Sequence, residues 1–244
     1  MGLVMLLFSG FNIYAPEVVY QNNELVFYYG GWKTYDDSPN DKIYRNGAVV
    51  LSPVAPLVQI NDPSLVWMDG YWLMYMTGST SLGGELEAQG IYYATSWDGI
   101  TWSQPQFLMN SYWLPSAVRK DGKVYLYANS TLGGNLVRFD MGLSGIVVEG
   151  TDYLNVSYIN VDVDYQPSIN LWQMMGESGN SQKIDYLYST DGVSFTLYGT
   201  VVTADAGGSV RTPAMHPDSA FFLYYGKSPV QTGEQNTIYF VDWR

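Results

Sequence analysis

The sequence predicts an all-β chain, a five-bladed β-propeller built of four-stranded antiparallel blades, and three observations carry that expectation. Aromatic residues supply 16% of 244 positions and glycine another 25 residues, a composition that suits short strands and tight turns. No stretch shows the apolar period and caps of a long helix. A strand-entrance pattern recurs along the whole chain: x-Pro, a small or acidic residue, an apolar residue, then a hairpin.

The five copies are Ala15-Pro16-Glu17-Val18, Asp62-Pro63-Ser64-Leu65, Leu114-Pro115-Ser116-Ala117, Gln166-Pro167-Ser168-Ile169 and Thr212-Pro213-Ala214-Met215, with prolines 47, 52, 52 and 46 residues apart. That period holds four short strands and their turns. Proline lacks an amide donor and pushes the preceding residue out of helical space, so each copy reads as the start of an inner strand. The second strands follow, as in Trp72-Leu73-Met74-Tyr75-Met76 after the turn Met68-Asp69-Gly70. Third strands run into a shared turn, Ser96-Trp97-Asp98-Gly99-Ile100-Thr101-Trp102 and Ser189-Thr190-Asp191-Gly192-Val193-Ser194-Phe195. Its hydroxyls and Asp can bond local amides while the aromatic ring packs beneath, which makes it scaffold. The fifth unit reaches Arg244 with three strands. The apolar run at residues 2–10 is therefore expected to supply the fourth strand and close the ring, which also hides an exposed edge. The expected organisation is one propeller domain over residues 1–244.

Composition also excludes functions. A net charge of −12 with only 11 scattered Lys and Arg residues argues against nucleic acid as a partner. With no cysteine there is neither a disulfide framework nor a thiolate metal site. The N-terminal apolar run is far shorter than the roughly 20 residues of a membrane span. No cofactor is implied. Acidic, aromatic-rich surfaces suit neutral polar ligands such as oligo- or polysaccharides.

The D-P-S entrance at Asp62, the D-G hairpins and the S-x-D-G-x-x-aromatic turns together resemble the five-bladed propeller glycoside hydrolases, the arabinanase and β-xylosidase-like family with its fructosidase relatives. The resemblance implies an axial funnel where strand entrances present three carboxylates: a base, an Asp that tunes and orients, and a Glu acid. It implies that Asp62 is the base or the tuning Asp. The places that would carry the acid hold Trp113, Leu114, Tyr165 and Gln166. Asp164 is the candidate to replace the missing group, because Asn160, Asp162, Asp164 and Gln166 alternate on one strand face. That row reads as a funnel wall, a solvated edge or an oxygen-ligand calcium site. Glu17 is expected to point away from the side of Ala15 by strand alternation.

Substrate-binding candidates come from the same map. The loop at residues 30–45 offers Trp32 and Tyr35 to stack a sugar and Asp36, Asp37 or Asp41 to bond its hydroxyls. Trp113 and Arg211, each two residues before an entrance proline, are expected to face the axis, as is Gln166. His216, the only histidine, sits at the far end of an inner strand. Two readings follow: a carbohydrate-recognising glycoside hydrolase-like propeller that hydrolyses glycosidic bonds in its funnel, or a non-catalytic glycan-binding or attachment module such as a surface or virion protein.

Overall fold

The computed structural model describes residues 4–8, 12–32, 40–82, 85–178, 180–230 and 236–243. Strand β1 (Val4–Phe8) precedes four sequential blades. Blade I comprises β2 (Asn12–Gln21), β3 (Glu24–Trp32), β4 (Ile43–Arg45) and β5 (Ala48–Leu51); blade II comprises β6 (Gln59–Trp67), β7 (Trp72–Ser79), β8 (Gln89–Ser96) and β9 (Gln106–Asn110). Blade III follows with β10 (Tyr112–Lys120), β11 (Lys123–Ser130), β12 (Leu136–Asp140) and β13 (Gly150–Tyr153), and blade IV with β14 (Ile159–Gln166), β15 (Leu171–Glu177), β16 (Lys183–Ser189) and β17 (Thr196–Thr203). Blade V orders β18 (Ser209–His216), β19 (Ser219–Ser228) and β20 (Thr237–Asp242), with β1 as its outer strand, antiparallel to β20 in the register Val4 to Val241. The predicted five-bladed propeller and its N-terminal closure are thus both present. Each inner strand packs against the inner strands of its two neighbours, so β2, β6, β10, β14 and β18 ring the axis. Among the described residues no helix is long and apolar enough to cross a membrane.

The repeated entrance is a β-bulge. The register slips between Tyr14 and Glu17, Asn61 and Ser64, Trp113 and Ser116, Ile159 and Asp162, and Arg211 and Ala214. In every case the residue after the first of these is left-handed: Ala15, Asp62, Leu114, Asn160 and Thr212 have φ of 50°, 50°, 55°, 47° and 46°. None is glycine, and for β-branched Thr212 the conformation is costly. This ring corrects the fourth entrance. It is Asn160-Val161-Asp162, with Val161 in the proline's place, whereas Gln166 ends β14 and Pro167 stands in the hairpin turn beyond. The bulge also overturns the alternation argument at Glu17, whose side chain faces the axis beside Ala15 and Pro16.

Side chains at the third entrance position latch one blade to the next. Glu17 Oε1 accepts from the Leu65 amide at 2.8 Å, Ser64 Oγ from Ala117 at 2.9 Å, Ser116 Oγ from Val163 at 2.9 Å, and Asp162 Oδ2 from Met215 at 2.6 Å. The series breaks between blades V and I, where Ala214 has no oxygen to offer Val18. A second series lies farther out: Tyr28 donates to the Gly99 carbonyl at 2.5 Å, Tyr75 to that of Gly145, and Tyr127 to that of Gly192 at 2.8 Å, each in the next blade. Two of those carbonyls belong to the shared turn, where Asp98 Oδ1 accepts from Ile100 and Thr101 and Asp191 Oδ1 from Val193 and Ser194. The broken inner series yields a prediction. Ala214 is 1% exposed, and Ala214→Ser adds one acceptor at the unlatched junction. We expect a gain of about 1 kcal/mol in urea unfolding, with no gain refuting the equivalence of the five positions.

Candidate functional site

The bulge turns the five residues that precede the left-handed ring toward one end of the axis. Tyr14, Asn61, Trp113, Ile159 and Arg211 wall a cleft of about 280 Å³. Asp62, Leu114, Asn160 and Thr212 form its floor, and Gln59, Thr77, Ser79 and Gln89 extend it along blade II. Below the floor the channel narrows to a constriction lined by the prolines, Val161 and the latch residues.

Asp62 is the only carboxylate in the left-handed ring. It is 8% exposed, and burial raises its pKa to about 7, helped by the charges of Asp41 and Glu177 and opposed by a hydrogen bond from Thr77. Thr77 is itself held in place, since its Oγ1 accepts from the Leu114 amide at 2.9 Å. Close blade contact is built into the backbone here: a Cβ on Gly30 would stand 3.0 Å from that of Asn61, so glycine lets β3 meet the entrance of blade II.

Asp41 forms the adjoining network. Its carbonyl accepts from the Ile60 amide at 3.2 Å, which ties the segment after β3 to β6. Its Oδ2 accepts from Tyr14 at 2.6 Å and from Asn61 Nδ2 at 3.0 Å, and Asn61 Nδ2 also donates to the Tyr14 oxygen at 3.0 Å. Burial raises Asp41 to about 6, with the Tyr14 and Asn61 hydrogen bonds pulling it back. Burial thus lifts both acids toward neutrality, Asp62 further than Asp41. Burial also raises the Tyr14 phenol, reinforced by Asp41 and Asp62, so it stays a donor.

Glu177 is a third buried acid near the floor, but its oxygens are committed. Oε2 accepts from Asn160 Nδ2 and from the Thr212 amide at 3.2 Å, and Oε1 from Ser181 at 2.6 Å. Burial raises its pKa, against those bonds and the Arg211 charge. Glu177 joins blades IV and V.

Several buried polar atoms have no hydrogen-bond partner among the described residues: Trp113 Nε1, Asn61 Oδ1 and Gln89 Oε1 in the walls of the mouth, and Asp41 Oδ1 beside it. The mouth therefore presents both donor and acceptor atoms without partners among the described residues, around a titratable acid.

The sequence-predicted residues divide accordingly. Asp62, Trp113 and Arg211 come together in the mouth. Asp164 does not join them. It lines a cavity on the far side of the constriction, with Glu17, Asp162, Met215 and Pro217, and burial raises its pKa. Gln166, at the far end of β14, lines an outer cleft with Tyr186, Tyr198 and Trp243. The row from Asn160 to Asp164 is a channel wall that runs from mouth to exit, since a bulge-corrected β14 turns those residues to the axis. Trp32 ends β3 opposite Asn12, its Nε1 without a partner among the described residues, and is not among the described residues lining the mouth. Asp37, like Tyr35 and Asp36, lies outside the described residues. Sequence reasoning passed over Tyr14 and Asn61, although they hold the same position two before a proline that singled out Trp113 and Arg211. Among the described residues no group of three or more His, Cys, Asp or Glu side chains is arranged to hold a metal ion.

The sequence matches no family model, and no curated protein aligns with it significantly. Solved structures do match. A GH43_1 enzyme from Xanthomonas citri complexed with xylose superposes with a TM-score of 0.73 at 15% identity, over 98% of this chain and 89% of that one. The RS223 β-xylosidase gives 0.72 at 14% identity over 98% and 94%, and the GH43 endo-arabinanase from Bacillus licheniformis 0.65 at 12% over 96% and 95%. From one end to the other, the chain shares its five-bladed propeller fold with glycoside hydrolases of the GH43 group.

Proposed function

We propose that the mouth recognises a neutral saccharide, with Trp113 as stacking platform, Arg211 and Asn61 as hydroxyl partners and Asp62 at the floor as the group that exchanges a proton with the ligand. The observation that carries this reading is the mixed set of orphan atoms. A buried polar group left unpaired costs about 1–3 kcal/mol, and sugar hydroxyls, which donate and accept, would satisfy Trp113 Nε1, Asn61 Oδ1 and Gln89 Oε1 together. The xylose and xylotriose complexes of the Xanthomonas citri enzyme add a fold-level analogy for the ligand class.

Hydrolysis is a second reading, and the paired pKa shifts favour it. An acid raised to about 7 next to one raised to about 6 divides into proton donor and base near neutrality, as acid–base cleavage of a glycosidic bond requires. In that reading Asp62 protonates the leaving oxygen and Asp41 activates water. Against a complete hydrolase set, the floor positions of blades III and IV carry Leu114 and Asn160.

Calorimetric titration with xylo-, arabino- and fructo-oligosaccharides, together with assays on arabinan, xylan, fructan and aryl glycosides, separates these readings. Binding that Trp113→Ala weakens roughly tenfold or more, without sugar release, supports recognition alone. Release that drops at least about a hundredfold in Asp62→Asn supports catalysis. Absence of both overturns the proposal and leaves an attachment module.

A further inference from the structure

The face opposite the mouth carries an aromatic cleft with a different chemistry. Three of the eight tryptophans meet there: Trp67 at the end of β6, Trp72 at the start of β7 and Trp97 just past β8, with Tyr20 closing the side and Asp98 at the rim of a space of about 380 Å³. Trp97 is 79% exposed and Trp67 42%. The Trp67 and Trp72 rings stand 5.2 Å apart, inclined at 60°, and Trp97 is propped on Tyr71 at 67°.

Neither exposed ring is demanded by the fold. The matching turn of blade IV places Thr190 where blade II has Trp97 and makes the same Asp-to-amide bonds. Position five after the left-handed residue, Trp67 in blade II, is Arg119 in blade III and Pro217 in blade V. An exposed tryptophan in a cleft is the kind of feature that marks an interaction site.

Charge selects the occupant. No Lys or Arg lines the cleft among the described residues. Arg119, which touches the Trp67 carbonyl, is paired with Asp69, and Arg45 is bound to Gln21 Oε1. Asp98 is held at about 2 by the Thr101 and Ile100 amides, so it is anionic at every physiological pH. Unlike the mouth, the cleft contains, among the described residues, no buried polar atom without a partner, so nothing in it asks for sugar hydroxyls. Inclined aromatic faces beside a fixed carboxylate attract a cation too diffuse to hold its water, the pattern by which quaternary ammonium groups are bound.

We infer that this cleft binds a quaternary ammonium group, with Trp67, Trp72 and Trp97 as its π-walls and Asp98 as its counter-charge. The full chain is titrated calorimetrically with choline and with 3,3-dimethylbutan-1-ol, its neutral isostere. Choline is expected to bind saturably and the isostere roughly five- to thirtyfold more weakly. Trp97→Ala, at a mostly exposed position that leaves folding intact, is expected to weaken choline by a similar factor. Asp98→Asn keeps the Oδ1 acceptor of the turn but removes the charge, so it too is expected to weaken choline while circular dichroism stays unchanged. Equal binding of choline and isostere, no saturable choline binding, or xylotriose binding that depends on Trp97 in place of choline, each overturns the assignment.

Discussion

Acidification from pH 8 to pH 5 is expected to raise the thermal unfolding midpoint of this protein, the opposite of what paired surface carboxylates give. The cause is the set of axial acids. Burial lifts Asp62 to about 7 and Asp41 to about 6, and it also raises Asp162, Asp164, Glu17 and Glu177. A carboxyl whose folded pKa exceeds its unfolded value near 4 binds more protons in the native state. Its contribution is therefore complete below about pH 4 and is lost as pH rises through the folded pKa. For Asp62 alone, the change between pH 5 and pH 8 is on the order of 3 kcal/mol. Opposing groups act lower down: Asp98 and Asp191 are held below their usual range by turn amides, so stability falls again under about pH 4. Calorimetric scans at unit pH steps should show a maximum near pH 5. Asp62→Asn should raise the midpoint at pH 8 and flatten the slope; a wild-type profile that is flat or climbs from pH 5 to 8 contradicts the buried-acid account.

Asp162→Ala and Asp162→Asn should move stability in opposite directions. Asp162 joins three blades, accepting from the Met215 amide at 2.6 Å and from Ser116 Oγ at 3.4 Å. Alanine removes both acceptors and leaves a buried amide unpaired, a loss of about 2–4 kcal/mol. Asparagine keeps one oxygen for Met215 and turns its amide toward a site crowded by Glu17 and Asp164, where the Asp164 charge adds to burial in raising both Asp162 and Glu17. Urea unfolding at pH 8 should therefore rank Asn above wild type and Ala well below it. Equal destabilisation by both would mean that the charge itself, and not the acceptor geometry, holds the blades.

Much of the architecture could be read from residues because the repeat is enforced by local backbone chemistry. Proline at four of five entrances, glycine in the hairpins and the Ser-Asp-Gly turns each dictate a conformation without tertiary help, so blade number, blade order and the closing role of the N-terminal strand follow. The fourth entrance failed for a physical reason: Val161 fills the proline site, and Pro167, serving an ordinary hairpin, imitates the missing signal six residues later. The better marker is tolerance of a left-handed backbone. Asn160 meets it, and it lies 46 residues after Leu114 and 52 before Thr212.

The site was less legible because it depends on the bulge. Alternation across a regular strand turns Glu17 outward; one left-handed residue inserted ahead of it turns it to the axis. The same shift separates Asp62 from Asp164, which sit at opposite ends of the channel although both belong to inner strands. Asp41 stands just ahead of β4 at a position that no periodicity marks, and its partnership with Tyr14 and Asn61 is visible only once blades I and II are side by side.

The pairing of β1 with β20 bears on how the molecule is made. Every other hairpin in the ring joins strands close in sequence, whereas Val4 meets Val241. Closing so long a loop costs roughly 3 kcal/mol more conformational entropy than closing a ten-residue hairpin. During synthesis, blades I to IV can assemble as they emerge, but blade V must wait for its last inner strands before β1 finds an edge to pair with. Until β1 and β20 pair, the ring is an open arc with two raw edges, and this is the stage at which it is most exposed to association with other chains.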